Sequence, residues 1–119
     1  MNLDRFRGSP LTKAAFWAAA LFALVMALIP HPPEVHVTDF DKVEHSVAFG
    51  VLGILAAIGY PRLSTLRLIA VLSGYGAVIE LLQGTAFIHR DADPLDWVTD
   101  TIACAIVIIV LRSRAPERP

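Results

Sequence analysis

Cysteine is almost missing from this chain. Cys104 stands alone, so neither an intramolecular disulfide nor a zinc-type cysteine spacing is available. Sequence repeats and low-complexity tracts are missing too, and the termini are short polar tails. The long apolar runs lack the alternation of polar and apolar residues that barrel strands require, which argues against a membrane β-barrel. Net charge is slight, formally -1 over 119 residues, so the total supplies no electrostatic reason to invoke nucleic acid. What the chain has in excess is apolar surface. Hydrophobic residues make up 55% of it and the mean hydropathy is +0.60, more than a soluble domain of this length needs. Lipid is the expected solvent.

Four apolar runs occupy approximately residues 14–30, 44–60, 68–84 and 96–111. Each is about 16–17 residues long, near the lower end of what crosses a hydrocarbon core of roughly 30 Å. Backbone groups in lipid must pair internally, so the runs are expected to be helices. Prolines punctuate them: Pro30, Pro32 and Pro33 after the first, Pro61 after the second and Pro94 before the fourth. The expected fold is therefore all-α, a single domain over residues 1–119 built as an integral membrane bundle of four transmembrane helices. With four spans, Arg5, Arg7, Lys13, Arg62, Arg67, Arg112, Arg114 and Arg118 fall on one side, and only Lys42 and Arg90 on the other. The positive-inside rule then puts both termini in the cytoplasm. Trp17 and Tyr60 fall near the inner interface and Trp97 near the outer one, as an aromatic belt would have them. A cleaved signal peptide is the rival reading of the first run, but Pro30-His31-Pro32-Pro33 makes a poor cleavage site.

The acids lie opposite to the bases, and helical spacing brings several polar residues into register near the outer side. In "DKVEH", Asp41 and His45 are four apart and Lys42 and His45 three apart. In "VIELLQG", Glu80 and Gln83 are three apart, about one turn from the outer end of the third run. In "DPLDWVTD", Asp96 and Asp100 are four apart, with Cys104 continuing their stripe. Arg90 and Asp93 lie in the loop between the third and fourth runs. Helix capping accounts for part of this set: Asp41 with Glu44, and Asp93-Pro94 with Asp96, read as helix starts. It does not account for His45, Gln83, Asp100 or Glu80. Glu80 sits where the helix dipole disfavours negative charge, and a charge central in the bilayer costs at least roughly 2.5–3.5 kcal/mol, less near the interface. Two readings follow: a buried network that only locks helices together, or a polar cavity open to the outer face. The second is preferred. Small residues four apart (Ala15, Ala19 and Ala23; Ser46 and Gly50; Gly53 and Ala57), together with Gly74 and Gly76, are expected to pack helices closely. His31 and His36 are expected in solvent, and Cys104 in the core.

The stretches "DKVEHSVAFGVLG", "YGAVIELLQ" and "HRDADPLDWVTDTIA" resemble, in order, the motifs of the VanZ-like family, named for a teicoplanin-resistance protein. The resemblance spans about residues 38–110. It carries the family pattern onto Asp41, Lys42, His45, Phe49 and Leu52, then Glu80 and Gln83, then Arg90 and Asp96. This chain departs from the pattern at Asp100, where the family has Asn, and at Ala103 and Val107, where glycines are common. Ile88-His89 also replaces a Pro-Gly pair, so the chain resembles a divergent member. The likeness implies a multi-pass membrane protein of the cell envelope linked to low-level glycopeptide resistance; it implies no particular reaction.

Three functions fit this reading. In the first, Lys42, His45 and Arg90 engage a phosphate of a lipid-linked peptidoglycan precursor or phospholipid head group, with Glu80 and Asp96 orienting them. In the second, His45 and the carboxylates hold Mg²⁺ or Mn²⁺, or do acid/base work, in a lipid-phosphate hydrolase. The third is a proton-coupled carrier using His45, Glu80 and Asp100. The inner half of every run lacks ionisable residues, which argues against the carrier. Cofactor, metal and oligomeric state are left open.

Overall fold

The computed structural model describes residues 4–28, 38–84 and 94–114, with side chains for 4–28, 46–84 and 94–113. Over these residues a 3₁₀ turn, Asp4–Phe6, precedes four α-helices: α1 (Pro10–Leu28), α2 (Thr38–Gly59), α3 (Thr65–Gln83) and α4 (Pro94–Arg114). The helices begin two to six residues earlier than the hydropathy runs, because polar caps and prolines belong to the helix but not to the apolar stretch. Ser9 caps α1 by accepting from the Thr12 amide at 3.1 Å, with Pro10 at the first helical position. Ser64 does the same for α3, accepting from the Arg67 amide at 3.1 Å. Pro94 opens α4 with Asp96 in its first turn, as the spacing predicts. Gly59 ends α2 just before Tyr60-Pro61.

Contacts between helices set their directions. Tyr75 and Gln83 of α3 reach carbonyls of α1 that lie 55 and 56 residues earlier. An offset that barely changes along the pair means the two helices run parallel. Facing positions of α2 and α4 behave alike, from Gly53 against Cys104 to Tyr60 against Arg112, so this pair is parallel too. By contrast, α3 and α4 face each other with opposed numbering, Ser73 meeting Thr101 and Leu63 meeting Arg112, which is antiparallel packing. The helices α2 and α4 form the most extensive pair, with α1 beside α2 and α3 beside α4.

Small residues permit the α2–α4 approach. A Cβ on Gly53 would stand 3.1 Å from the Cys104 carbonyl oxygen and 3.3 Å from its Cα, so the two backbones nearly touch. Ala57 is buried as expected, and Gly76 makes room for the Phe49 ring, whose Cζ would lie 3.2 Å from an added Cβ. Gly50 and Gly74 do not serve this role, because open space surrounds both. On α1 the buried stripe is Thr12, Phe16, Ala20 and Ala27, whereas Ala15 is exposed. Of the expected Ala15–Ala19–Ala23 ridge, Ala19 packs against the core and Ala23 is half-buried, and Phe16 takes an inward position. It meets Trp17 and Tyr60 edge-on at centroid distances of 5.3 and 6.0 Å.

The core is a narrow column of Phe49, Leu52, Ala56, Leu68, Leu72, Ile79, Cys104 and Ile108. Outside it the bundle is apolar. Leu11, Trp17, Leu21 and Phe22 on α1, Val71, Val78 and Leu81 on α3, and Ile102, Ile106 and Ile109 on α4 are all exposed. Water would not tolerate so large a continuous apolar exterior, whereas lipid suits it. Three helices, Pro10–Leu28, Thr65–Gln83 and Pro94–Ser113, are long and apolar enough to cross a membrane. The apolar part of α2, Ser46–Gly59, falls short of the roughly 20 residues a span needs.

Candidate functional site

The polar residues singled out from sequence distribute unevenly over the described structure. Asp41, Lys42 and His45 lie in the first two turns of α2, where only the helical backbone is described. Arg90, Asp93 and the loop histidines His31 and His36 lie outside the described residues. Glu80, Gln83, Asp96 and Asp100 are placed, and all four belong to one end of the bundle: the end of α3 and the start of α4. Carrying the α2–α4 register toward the start of both helices brings the position of His45 level with Asp96.

Gln83 is the most clearly determined of the set. It is 3% exposed, and its side-chain amide donates to the carbonyl oxygen of Ala27 at 2.9 Å. Ala27 belongs to the last turn of α1, whose carbonyls have no intrahelical donor. Gln83 supplies one. This ties the polar end to α1, the helix outside the recognised motifs, and gives Gln83 a structural task that spacing alone did not reveal.

Asp100 is 4% exposed and leads an inward ridge with Cys104 and Ile108, each four residues on. A carboxyl group this deep needs polar neighbours to offset its desolvation. Asp100, Asp96 and Glu80 each take part in at least one bonding or electrostatic interaction. Asp96 and Glu80 are half-buried. Glu80 also lies in the last turn of α3, where its backbone carbonyl accepts from Gly84 at 3.2 Å. Alongside these residues Phe49, Gly76 and Trp97 meet between α2, α3 and α4. The Phe49 and Tyr75 rings lie 6.0 Å apart, and the Trp97 Cδ1 would stand 3.5 Å from a Cβ on Gly76.

Several linking residues escaped sequence reasoning. The Ser73 and Thr101 hydroxyls meet at 3.0 Å between α3 and α4, and the Trp97 indole N–H donates to the Ser73 carbonyl at 2.9 Å. The Tyr75 hydroxyl donates to the Ala20 carbonyl of α1. A signal was available: Ser73 and Tyr75 are the polar interruptions of the third apolar run, and in lipid such groups seek partners on neighbouring helices. Among the described residues, no three His, Cys, Asp or Glu side chains come together as metal ligands. Cys104 is fully buried, as expected, and its thiol donates to the Thr101 carbonyl at 3.3 Å.

The fold and site define an all-helical protein with membrane-length apolar helices and a cluster of polar residues at one end. Comparison with protein-family models, curated proteins and solved structures gave no match to this chain.

Proposed function

We propose that this chain is a multi-pass protein of the bacterial plasma membrane, a divergent VanZ-like member with four spans and both termini in the cytoplasm. Its polar end opens outward and binds the phosphate of a lipid-linked cell-wall precursor. The observation that carries this reading is the burial of Asp100 and Gln83 at the same end of the bundle as Glu80 and Asp96. Polar groups are not kept in an otherwise apolar bundle without a task. The side-by-side course of α2 and α4 supports a fourth span, because a helix packed along a membrane-crossing neighbour shares its depth. The 22 residues of α2 measure about 33 Å, long enough for the crossing even though its first turns are polar. Lys42, His45 and Arg90 supply the positive charge for a phosphate, and the acids orient those bases.

The test is expression in a glycopeptide-sensitive bacterium. Teicoplanin susceptibility should fall, and Arg90→Ala and Glu80→Gln should restore it while the protein still inserts in the membrane. Unchanged susceptibility on expression of the wild-type chain overturns the proposal. Release of inorganic phosphate from a polyprenyl phosphate by the purified protein would instead make the site that of a hydrolase.

A further inference from the structure

The opposite end of the bundle carries a second assembly that the polar site does not use. The turn joining α2 to α3, Tyr60–Ser64, is gripped from two directions. From the amino-terminal segment, the Gly8 amide donates to the Ile58 carbonyl at 2.9 Å, and Gly8 adopts a φ of 67° against Pro61. From α4, the Arg112 guanidinium donates to the carbonyls of Leu63 at 2.6 Å and Tyr60 at 3.1 Å. These two grips place Arg7 and Arg112 on either side of one turn, within repulsive reach of each other. Lys13 lies over the Tyr60 ring at 5.4 Å, and Arg62 projects from the turn itself, exposed. Among the described residues the only acid at this end is Asp4, an exposed side chain 3.6 Å from Arg7.

Gathering like charges around a half-buried turn is unfavourable unless something negative accompanies them. A guanidinium also has five N–H donors, and the two carbonyls use only part of that capacity. The flanking surface says what kind of anion fits. Trp17, 63% exposed, donates to the Tyr60 hydroxyl at 2.7 Å, while Leu11 and Leu66 are exposed in the first turns of α1 and α3 at this same end. An anion with acyl chains satisfies both the bases and this apolar flank; a free ion satisfies only the first. We infer that the basic ring of Arg7, Lys13, Arg62 and Arg112 around the α2–α3 turn is a binding site for the head group of an anionic phospholipid, whose chains lie along Trp17, Leu11 and Leu66. Basic pockets between helices at a membrane surface take such head groups. This site is separate from the polar end and does not depend on what binds there.

The chain contains two tryptophans, and Trp17 lies at the proposed site, so lipid quenching reads it directly. The full-length Trp97→Phe variant is reconstituted in vesicles containing brominated phosphatidylglycerol or brominated phosphatidylcholine. Trp17 fluorescence should be quenched at several-fold lower mole fraction by the anionic lipid. Arg62→Gln should reduce that preference by roughly fivefold, as loss of one basic contact implies. Arg67→Gln, which removes a base from the exposed face of α3, should leave it unchanged. Equal quenching by the two lipids overturns the inference. So does an equal effect of both arginine variants, which marks a diffuse surface attraction. Relief of quenching by inorganic phosphate would mark a free-anion site and overturn it as well. Should Trp97→Phe fail to fold, the difference between wild type and Trp17→Phe isolates the same signal.

Discussion

The side-chain amide of Gln83 donates to the main-chain carbonyl of Ala27 at 2.9 Å, so the last turn of α3 closes the last turn of α1. The Tyr75 hydroxyl makes an analogous bond to Ala20 farther along the same two helices. Both bonds replace water that is unavailable in lipid.

Replacement of Gln83 by leucine keeps the volume but removes the donor. Folding stability in detergent or bicelles should fall by about 1 kcal/mol, the usual worth of an interhelical bond in a membrane protein. Equilibrium unfolding of Gln83→Leu beside Tyr75→Phe measures this. The double variant should lose more than either single one.

Gly53 and the exposed glycines should respond oppositely to alanine. At Gly53 the new methyl meets the backbone of Cys104, which cannot rotate aside, so Gly53→Ala should cost about 1–3 kcal/mol. At Gly50 and Gly74 nothing stands within 4 Å, so alanine should be neutral or stabilise the helix by up to about 1 kcal/mol. Thermal unfolding of the three variants decides the matter.

Arg112 should not tolerate lysine. An ammonium cannot hold the Tyr60 and Leu63 carbonyls with the planar fork that the guanidinium presents. Arg112→Lys should lower stability by about 1–3 kcal/mol despite keeping the charge. Unfolding midpoints of Arg112→Lys and Arg112→Gln should both drop; a wild-type midpoint for lysine would show that charge alone suffices.

Cys104 offers a built-in probe of the fold. Fully buried between α2 and α4, it should resist a maleimide in the folded protein and react after denaturation in dodecyl sulfate. In a cell, Arg62→Cys should react with an impermeant maleimide only when the cytoplasmic side is opened. Labelling from outside intact cells would reverse the proposed orientation.

Hydropathy and punctuation were enough to read the elements. Apolar runs punctuated by Pro30, Pro61 and Pro94 leave few alternatives to helices, because lipid allows no unpaired backbone. Trp17 and Tyr60 were assigned a common depth from topology, and they are hydrogen-bonded partners. Cys104 was expected in the core and is there. The polar site was legible in part: four residues from two motifs do share one end of the bundle. The role of Gln83 was not legible, since its partner is a backbone carbonyl, and every residue carries one.

By itself, then, the sequence determined that the chain is helical, where the apolar part of each helix lies, and that its exterior suits lipid. These follow from local chemistry: hydrogen-bond satisfaction within a segment, capping, and the transfer of apolar side chains out of water. Only the tertiary structure decided which faces turn inward, that Phe16, Ala20 and Ala27 rather than Ala15 line the α1 seam, and that Gly53 rather than Gly50 brings two backbones together. Those choices depend on the shapes of surfaces brought together from distant parts of the chain. Spacing along one helix cannot report the shape of its neighbour.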